Sequence, residues 1–353
     1  MNKGFVFIFF SFFLFTQCAS ENPDIRVVCE SMPRGNFLIK WETFPPIEGT
    51  VKIFESSAPD SFNMFSPIAE VEINKGFKEI FSVKTNKRSY FQLVFNRTCA
   101  VVTAERTVPM QGLFNFRDLG GYYNTNGKQS KWGKLYRSSS LSNATFQDAR
   151  TLRTLGIKTV IDLRTDSERL DNPLRYLAPQ TFNFPLRGIP ITNYFNKIQS
   201  KEMKIGDVKV NAQDMLTFLL EKNSDFFIKM FDILLDAGNY PVLINCSSGS
   251  DRSAVAAALI LAALDIEFDQ IIKDYMLTNE SIEFSPYIPN QSIFLQDTEM
   301  QEIFTAQFKV HKGTITYPFN RLLKEYGSLE NYFNSDLKLT SKKREKLKEI
   351  MLY

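Results

Sequence analysis

Histidine is almost missing from this chain of 353 residues: the single one, His311, excludes a multi-histidine metal centre. Cysteine is scarce too. The four, Cys18, Cys29, Cys99 and Cys246, form no CxxC pair, so the usual zinc spacings are absent and no cofactor is expected. Charge of one sign is also lacking. Lys and Arg number 42 against 39 Asp and Glu, and the formal charge of +3 is too small to imply nucleic acid as a partner. There is no internal repeat and no low-complexity linker. Beyond the first twenty residues no run is apolar enough to span a bilayer.

The N-terminus reads as an export signal over residues 1–20. Lys3 supplies a short positive region, and Gly4 to Phe15 is a phenylalanine-rich stretch interrupted by Ser11 and too short to span comfortably. It ends at Phe15–Thr–Gln–Cys18–Ala–Ser20. A bacterial lipoprotein signal with Cys18 acylated is the preferred reading, and cleavage after Ser20 to a soluble exported protein is the competitor. Either places the chain in the cell envelope or outside it. Membrane contact is expected only through a lipid on Cys18.

With 44% hydrophobic residues the chain is long enough for two packed cores. From residue 21 to 108 the pattern is one of short alternating segments: Ile25–Val28, Phe37–Trp41, Thr50–Phe54, Ala69–Ile73, Glu79–Val83, Tyr90–Phe95 and Ala100–Thr107. Seven short strands predict an all-β sandwich. Trp41 and Tyr90–Phe–Gln–Leu93 resemble a fibronectin type III or immunoglobulin-like pattern, with the aromatics in the core. Cys29 and Cys99, in an oxidising compartment, either pair as a disulfide or remain two thiols.

From 109 to 353 strands alternate with helices, which predicts an α/β domain with a mostly parallel sheet flanked by helices and its site at the C-terminal edge. Strands are expected at Lys134–Tyr136, Thr159–Leu163, Thr181–Phe184 and Val242–Asn245. Helices are expected at Thr145–Leu155, Met215–Asp236, Ser253–Leu264 and Phe268–Met276, with three more in the tail. Thr145-x-x-Asp148 has the form of a capping box. Residues 187–214 and 278–316 read as irregular.

The chemistry lies in Pro241–Val–Leu–Ile–Asn–Cys246–Ser–Ser–Gly–Ser–Asp251–Arg252–Ser253. A buried strand runs into a thiol, then a small-residue loop, then a guanidinium at the start of an alanine-rich helix. A helix start offers unpaired N–H groups and roughly half a positive charge, so a loop of Ser247, Ser248, Gly249 and Ser250 over it can cradle a phosphoryl group. A thiol at such a start falls from about 8.5 to about 3.5–7.5 and becomes a nucleophile. Arg252 can grip two phosphoryl oxygens, and Ser253 can donate to the sulfur. The competing reading, a structural cysteine buried in a strand, describes most free cysteines.

Further blocks decide between them. Asn115–Phe–Arg117–Asp118–Leu–Gly–Gly–Tyr122, Leu135–Tyr–Arg137–Ser138, Leu155 to Arg164 with Asp162–Leu–Arg164 at its end, the cysteine loop, and Asp274–Tyr275 to Asn279 follow in the order and spacing of bacterial tyrosine phosphatase-like proteins. From about Gly112 onward the chain resembles that family, whose members typically carry HCxxGKDRT. The resemblance implies a cysteine-dependent phosphatase fold and a phosphocysteine intermediate. Asn245 stands at the family's histidine and Ser250 at its lysine, which is associated with phosphoinositide recognition. Phe182 to Pro190, where tyrosine phosphatases place their acid, has no carboxylate. Asp251 is the first candidate acid and Asp162 the second, with ion-pairing to Arg164 or Arg252 as the alternative for either. Arg117 and Asp118 are expected to form a turn with an internal ion pair, with direct substrate contact in the cleft, shared with Asp162 and Arg164, as the alternative; Arg137 is expected to line the cleft, and Asp274 to support the loop from below.

Three functions compete. One is an exported phosphatase acting on a phosphorylated protein or small phosphomonoester. Another is a phosphate-binding or interaction protein with a degenerate site. The third is a lipid or inositol phosphate phosphatase, for which Lys128, Lys131 and Arg187 are the nearby cations in the sequence.

Overall fold

The computed structural model describes residues 23–81, 88–187, 196–198, 200–281 and 297–353. The expected export signal with Cys18 lies outside them, as do residues 82 and 83 at the end of the fifth expected strand.

The first part is seven antiparallel strands in two sheets. β1 (Asp24–Ser31), β2 (Phe37–Phe44) and β5 (Phe77–Ile80) make one; β4 (Ala69–Glu72), β3 (Thr50–Ser56), β6 (Tyr90–Phe95) and β7 (Cys99–Ala104), in that order, make the other. Period-two alternation turns Ile25, Val27, Ile39, Trp41, Val51, Ile53, Phe91, Leu93 and Phe95 into one shared core, a sandwich. Trp41 belongs to it, its indole N–H satisfied by the Ile73 carbonyl at 2.7 Å. The Cys29–Cys99 disulfide is not formed, and both thiols are free. Cys29 bridges Glu105, whereas Cys99 lies six residues back along that strand. That is roughly 20 Å at about 3.3 Å per residue, beyond any disulfide.

The second part is a five-stranded sheet in the order β11 (Gln180–Asn183), β10 (Thr159–Asp162), β12 (Val242–Asn245), β9 (Leu135–Ser138), β8 (Arg117–Asp118), parallel except for β8. Its central strands are buried on both faces. Leu135, Ile161, Val242 and Ile244 join one core, and Tyr136, Val160 and Leu243 join the other with Leu152 of α1 (Phe146–Thr154). Thr145 and Asp148 cap α1 reciprocally, as their spacing predicts. Then follow α2 (Asp166–Asp171), α3 (Ile205–Glu221), α4 (Ser224–Leu234), α5 (Arg252–Ala263), α6 (Phe268–Met276), α7 (Thr298–Phe308), α8 (Lys312–Tyr326), α9 (Leu329–Ser335) and α10 (Ser341–Met351). Every residue of α5 from Ser253 to Ala263 is buried. A helix apolar all round has to be central.

Two expectations change. Met215–Asp236 is not one helix, because Asn223 turns its side chain on the backbone, giving Nδ2 to the Leu219 carbonyl at 3.0 Å and taking the Arg187 N–H on Oδ1 at 2.7 Å. The segments read as irregular also contain helix. The first turns of α3 hold Gly206, Val208 and Val210, weak helix formers that tertiary packing overrides.

Candidate active site

β12 ends at Asn245, the loop takes six residues, and α5 starts at Arg252, so the loop sits at the C-terminal edge of the parallel sheet over a helix N-terminus. Cys246 lies at the bottom, 1% exposed. Its sulfur accepts the Gly249 N–H at 3.2 Å and lies 3.5 Å from Ser253 Oγ. Gly249 has φ of +77°, and a Cβ there would stand 2.7 Å from the Ser139 backbone nitrogen, so only glycine closes this turn. Ser248 and Ser250 share a hydroxyl hydrogen bond of 2.6 Å and are both buried. The residue at the family's lysine position therefore braces the loop and presents no cation.

Arg252 is held from the side by Glu168 on α2. Nη1 donates to Oε2 at 2.6 Å and Nη2 to Oε1 at 2.8 Å, and Nη2 also reaches Ser247 Oγ at 2.9 Å. Burial works to raise Glu168, but the hydrogen bonds and charge of Arg252, with Ser247 and the Thr165 N–H, win and hold it at about 2. Glu168 escaped the sequence reading. Its only local signal is a second capping box, Thr165-x-x-Glu168, and nothing local pairs it with Arg252. Burial raises Asp251 above its ordinary value, against the opposing pull of Arg252, Ser250 and Arg137.

Behind the loop lies a buried ionic support. Asp274 on α6 accepts Arg117 Nε at 2.9 Å, Arg137 Nη1 at 2.9 Å and the Tyr122 hydroxyl at 2.9 Å. Burial would raise Asp274, but the two guanidiniums hold it well below its ordinary value. Arg137, desolvated and beside Arg117, is pushed down to about 10. Arg137 Nη2 and Asn115 Nδ2 both donate to the Gly249 carbonyl, each at 2.7 Å. The peptide is planar and trans, so the Ser250 N–H points the opposite way and donates to Ser248 Oγ at 3.3 Å. Arg117 also hydrogen-bonds Asn115 Oδ1.

These contacts revise several expectations. Arg117 and Asp118 make no ion pair with each other, since successive strand residues face opposite ways: Arg117 turns to Asp274 and Asp118 to Arg88, at 2.8 Å. Arg137 is fully buried and lines no cleft. Asp162 is a wholly buried partner of Arg164 at 2.9 Å and accepts Asn245 Nδ2 at 3.1 Å. Arg164 goes on to Ser140 Oγ at 2.9 Å and to the carbonyl of Asn172, which ends α2, at 2.7 Å. Lys131 spends its ammonium on the Glu349 and Ile350 carbonyls at the end of α10. Lys128 lines the same groove between sandwich and sheet, beside Asp24, Tyr123 and Tyr353, with none of the cysteine loop in it. Arg187 is exposed, 3.9 Å from Asp225.

The chain is similar to several known proteins. A putative tyrosine-protein phosphatase of Cupriavidus necator is 24% identical over 249 residues, covering 68% of this chain and 87% of that protein. The triple specificity protein phosphatase PtpB of Mycobacterium tuberculosis is 27% identical over 202 residues, 51% of this chain and 71% of its own. Among solved structures, the catalytic core of the PP-IP phosphatase Siw14 of S. cerevisiae overlaps 63% of this chain and 96% of its own at 14% identity and a TM-score of 0.28. TpbA of P. aeruginosa overlaps 51% and 89% at 14% identity and 0.24, and overlaps this small carry no weight. The model of the tyrosine phosphatase family matches residues 108–353, the whole of the α/β part and its cysteine loop. The chain belongs to the tyrosine phosphatase family.

Proposed function

We propose that this phosphatase hydrolyses phosphotyrosine or another phosphomonoester through a phosphocysteine intermediate. The observation that carries the reading is the Cys246 sulfur, at a helix N-terminus, 3.2 Å from the Gly249 N–H and 3.5 Å from Ser253 Oγ. The Cys246 thiolate attacks phosphorus in line, the S–P bond forms, and the bond from phosphorus to the leaving oxygen breaks. That oxygen takes the proton of Asp251, whose burial favours the protonated acid. Water then attacks phosphorus and gives a proton to the Asp251 carboxylate. The S–P bond breaks, and Ser253 Oγ–H stabilises the departing thiolate. Loop N–H groups and the Arg252 guanidinium bear the charge spread over the equatorial oxygens.

Ser250, buried and bonded to Ser248, favours simple phosphomonoesters over inositol phosphates, which need several converging cations. The N-terminal stretch to Ser20 supports export, with Cys18 as the lipid-bearing residue. Labelled fatty acid incorporated by wild type and not by Cys18→Ala supports the anchor; equal labelling sinks it.

The test is p-nitrophenyl phosphate hydrolysis with EDTA and reductant, wild type against Cys246→Ser. Turnover that survives EDTA and is lost in the variant supports the cysteine route. Folded wild type no faster than the variant from about pH 5 to 8 overturns it.

A further inference from the structure

The two-residue strand β8 has one side chain on each of two buried ionic clusters. It pairs with β9 in the register Arg117 with Arg137 and Asp118 with Tyr136. On one face, Arg117 and Arg137 clasp Asp274, and Arg137 and Asn115 fix the Gly249 carbonyl. On the other, Asp118 and Tyr136 meet Arg88, which comes from the sandwich just ahead of β6.

Arg88 is the hub of that second face. Its Nη1 lies 2.8 Å from Asp118 Oδ2 and donates to the Tyr136 hydroxyl at 3.2 Å, while Nη2 donates to the Glu105 carbonyl at 2.9 Å. The guanidinium packs over the rings of Tyr90 at 4.9 Å, Tyr136 at 5.6 Å and Trp132 at 5.9 Å. Asp118 also accepts the backbone N–H groups of Gly120 and Gly133, each at 2.8 Å, and is wholly buried. Among the described residues the cation paired with this carboxylate comes from the sandwich.

We propose that Arg88 is a positioning residue for the phosphate loop, so that the sandwich completes the phosphatase site from behind. Deleting its charge leaves Asp118 buried with an unmatched carboxylate, and a carboxylate in that state either protonates or draws in water. Either response moves Asp118. A strand of two residues cannot shift at Asp118 and stay fixed at Arg117. Arg117 moves relative to Asn115 and Asp274, the Gly249 carbonyl loses its two fixed donors, and the Gly249 N–H aimed at sulfur loses its aim. Misplacements on the ångström scale far from the chemistry cost up to about 100-fold in rate.

This rests on the phosphatase reading, so the test carries a readout that needs no turnover. Full-length wild type, Arg88→Leu, Arg88→Lys and the sandwich-core control Ile53→Val are compared for kcat and KM on p-nitrophenyl phosphate and for the rate of Cys246 alkylation by iodoacetate. The expected result for Arg88→Leu, with secondary structure retained, is a kcat roughly 10- to 100-fold lower and a changed alkylation rate, with Arg88→Lys recovering part of both and Ile53→Val at wild-type kcat. Should Arg88→Leu not fold, Arg88→Lys carries the test, with a kcat between a tenth and a half of wild type expected as a rough scale. Arg88→Leu within about twofold of wild type in kcat and alkylation, or Ile53→Val losing as much kcat as Arg88→Leu, overturns the proposal. Wild type without turnover but with Arg88-dependent alkylation overturns the phosphatase reading and leaves the coupling standing.

Discussion

Glu168 grips both terminal nitrogens of Arg252, at 2.6 and 2.8 Å, so the guanidinium proposed to bind phosphate is aimed before substrate arrives. Pre-aiming lowers the ordering cost of binding. Glu168→Gln keeps the shape and loses the charge, and is expected to lower kcat/KM by roughly 10- to 100-fold. The pair also has a pH signature. Held at about 2 against an ordinary 4.5, Glu168 adds stability that is present above about 4.5 and disappears as pH falls through about 2. Acid unfolding of wild type and Glu168→Gln should therefore converge near pH 2; parallel curves down to that pH contradict the pairing.

Asp251 has the opposite sign. Burial raises it, so the folded chain binds its proton more tightly than the unfolded chain, and the contribution is complete at low pH and lost as pH rises through the raised value. Asp251→Asn should be more stable than wild type at neutral pH. As acid, Asp251 matters most for poor leaving groups. Asp251→Asn is expected to slow phosphotyrosine hydrolysis by about 10²–10⁴ and p-nitrophenyl phosphate hydrolysis far less, and to abolish the alkaline limb of the phosphotyrosine profile. Equal losses on both substrates would remove Asp251 from the role.

Asp162 separates from Asp251 in the same assay. Buried against Arg164 and beneath Asn245, it faces a guanidinium, not the loop interior. Asp162→Asn is expected to destabilise by about 3–5 kcal/mol through the unmatched Arg164. The alkaline limb should remain where it is in wild type, as followed by thermal melting and a phosphotyrosine pH profile. A shifted limb would make Asp162 the acid.

Local patterns were well marked in the sequence. Alternation at Ile25–Val28 and Tyr90–Phe95, the apolar run before Cys246 and the alanine-rich helix after Arg252 each follow from a few neighbours, and each element stands where its pattern places it. What the site owes to distant contacts was out of reach. Arg117 meets Asp274 across 157 residues, Arg252 meets Glu168 across 84 and Asp118 meets Arg88 across 30. Sequence spacing suggested an Arg117–Asp118 pair because the two are adjacent. Strand alternation forbids it, and strand alternation is visible only once β8 is known to be a strand.

Gly249 is where backbone geometry alone should decide activity. Its positive φ disfavours any side chain, and the Cβ of Gly249→Ala would press on the backbone of Ser138 and Ser139 at 2.7–3.0 Å, which cannot swing aside as a flexible side chain would. The loop must open at an N–H that touches sulfur. Gly249→Ala is expected to cost about 1–3 kcal/mol of stability, small beside the whole, while activity falls to the level of Cys246→Ser. Gly127→Ala, at a φ of +74° but with nothing within 4 Å of the added Cβ, carries a similar backbone penalty far from the loop and should keep wild-type turnover. Comparable activity in the two alanine variants would mean that the Gly249 N–H does not serve the nucleophile.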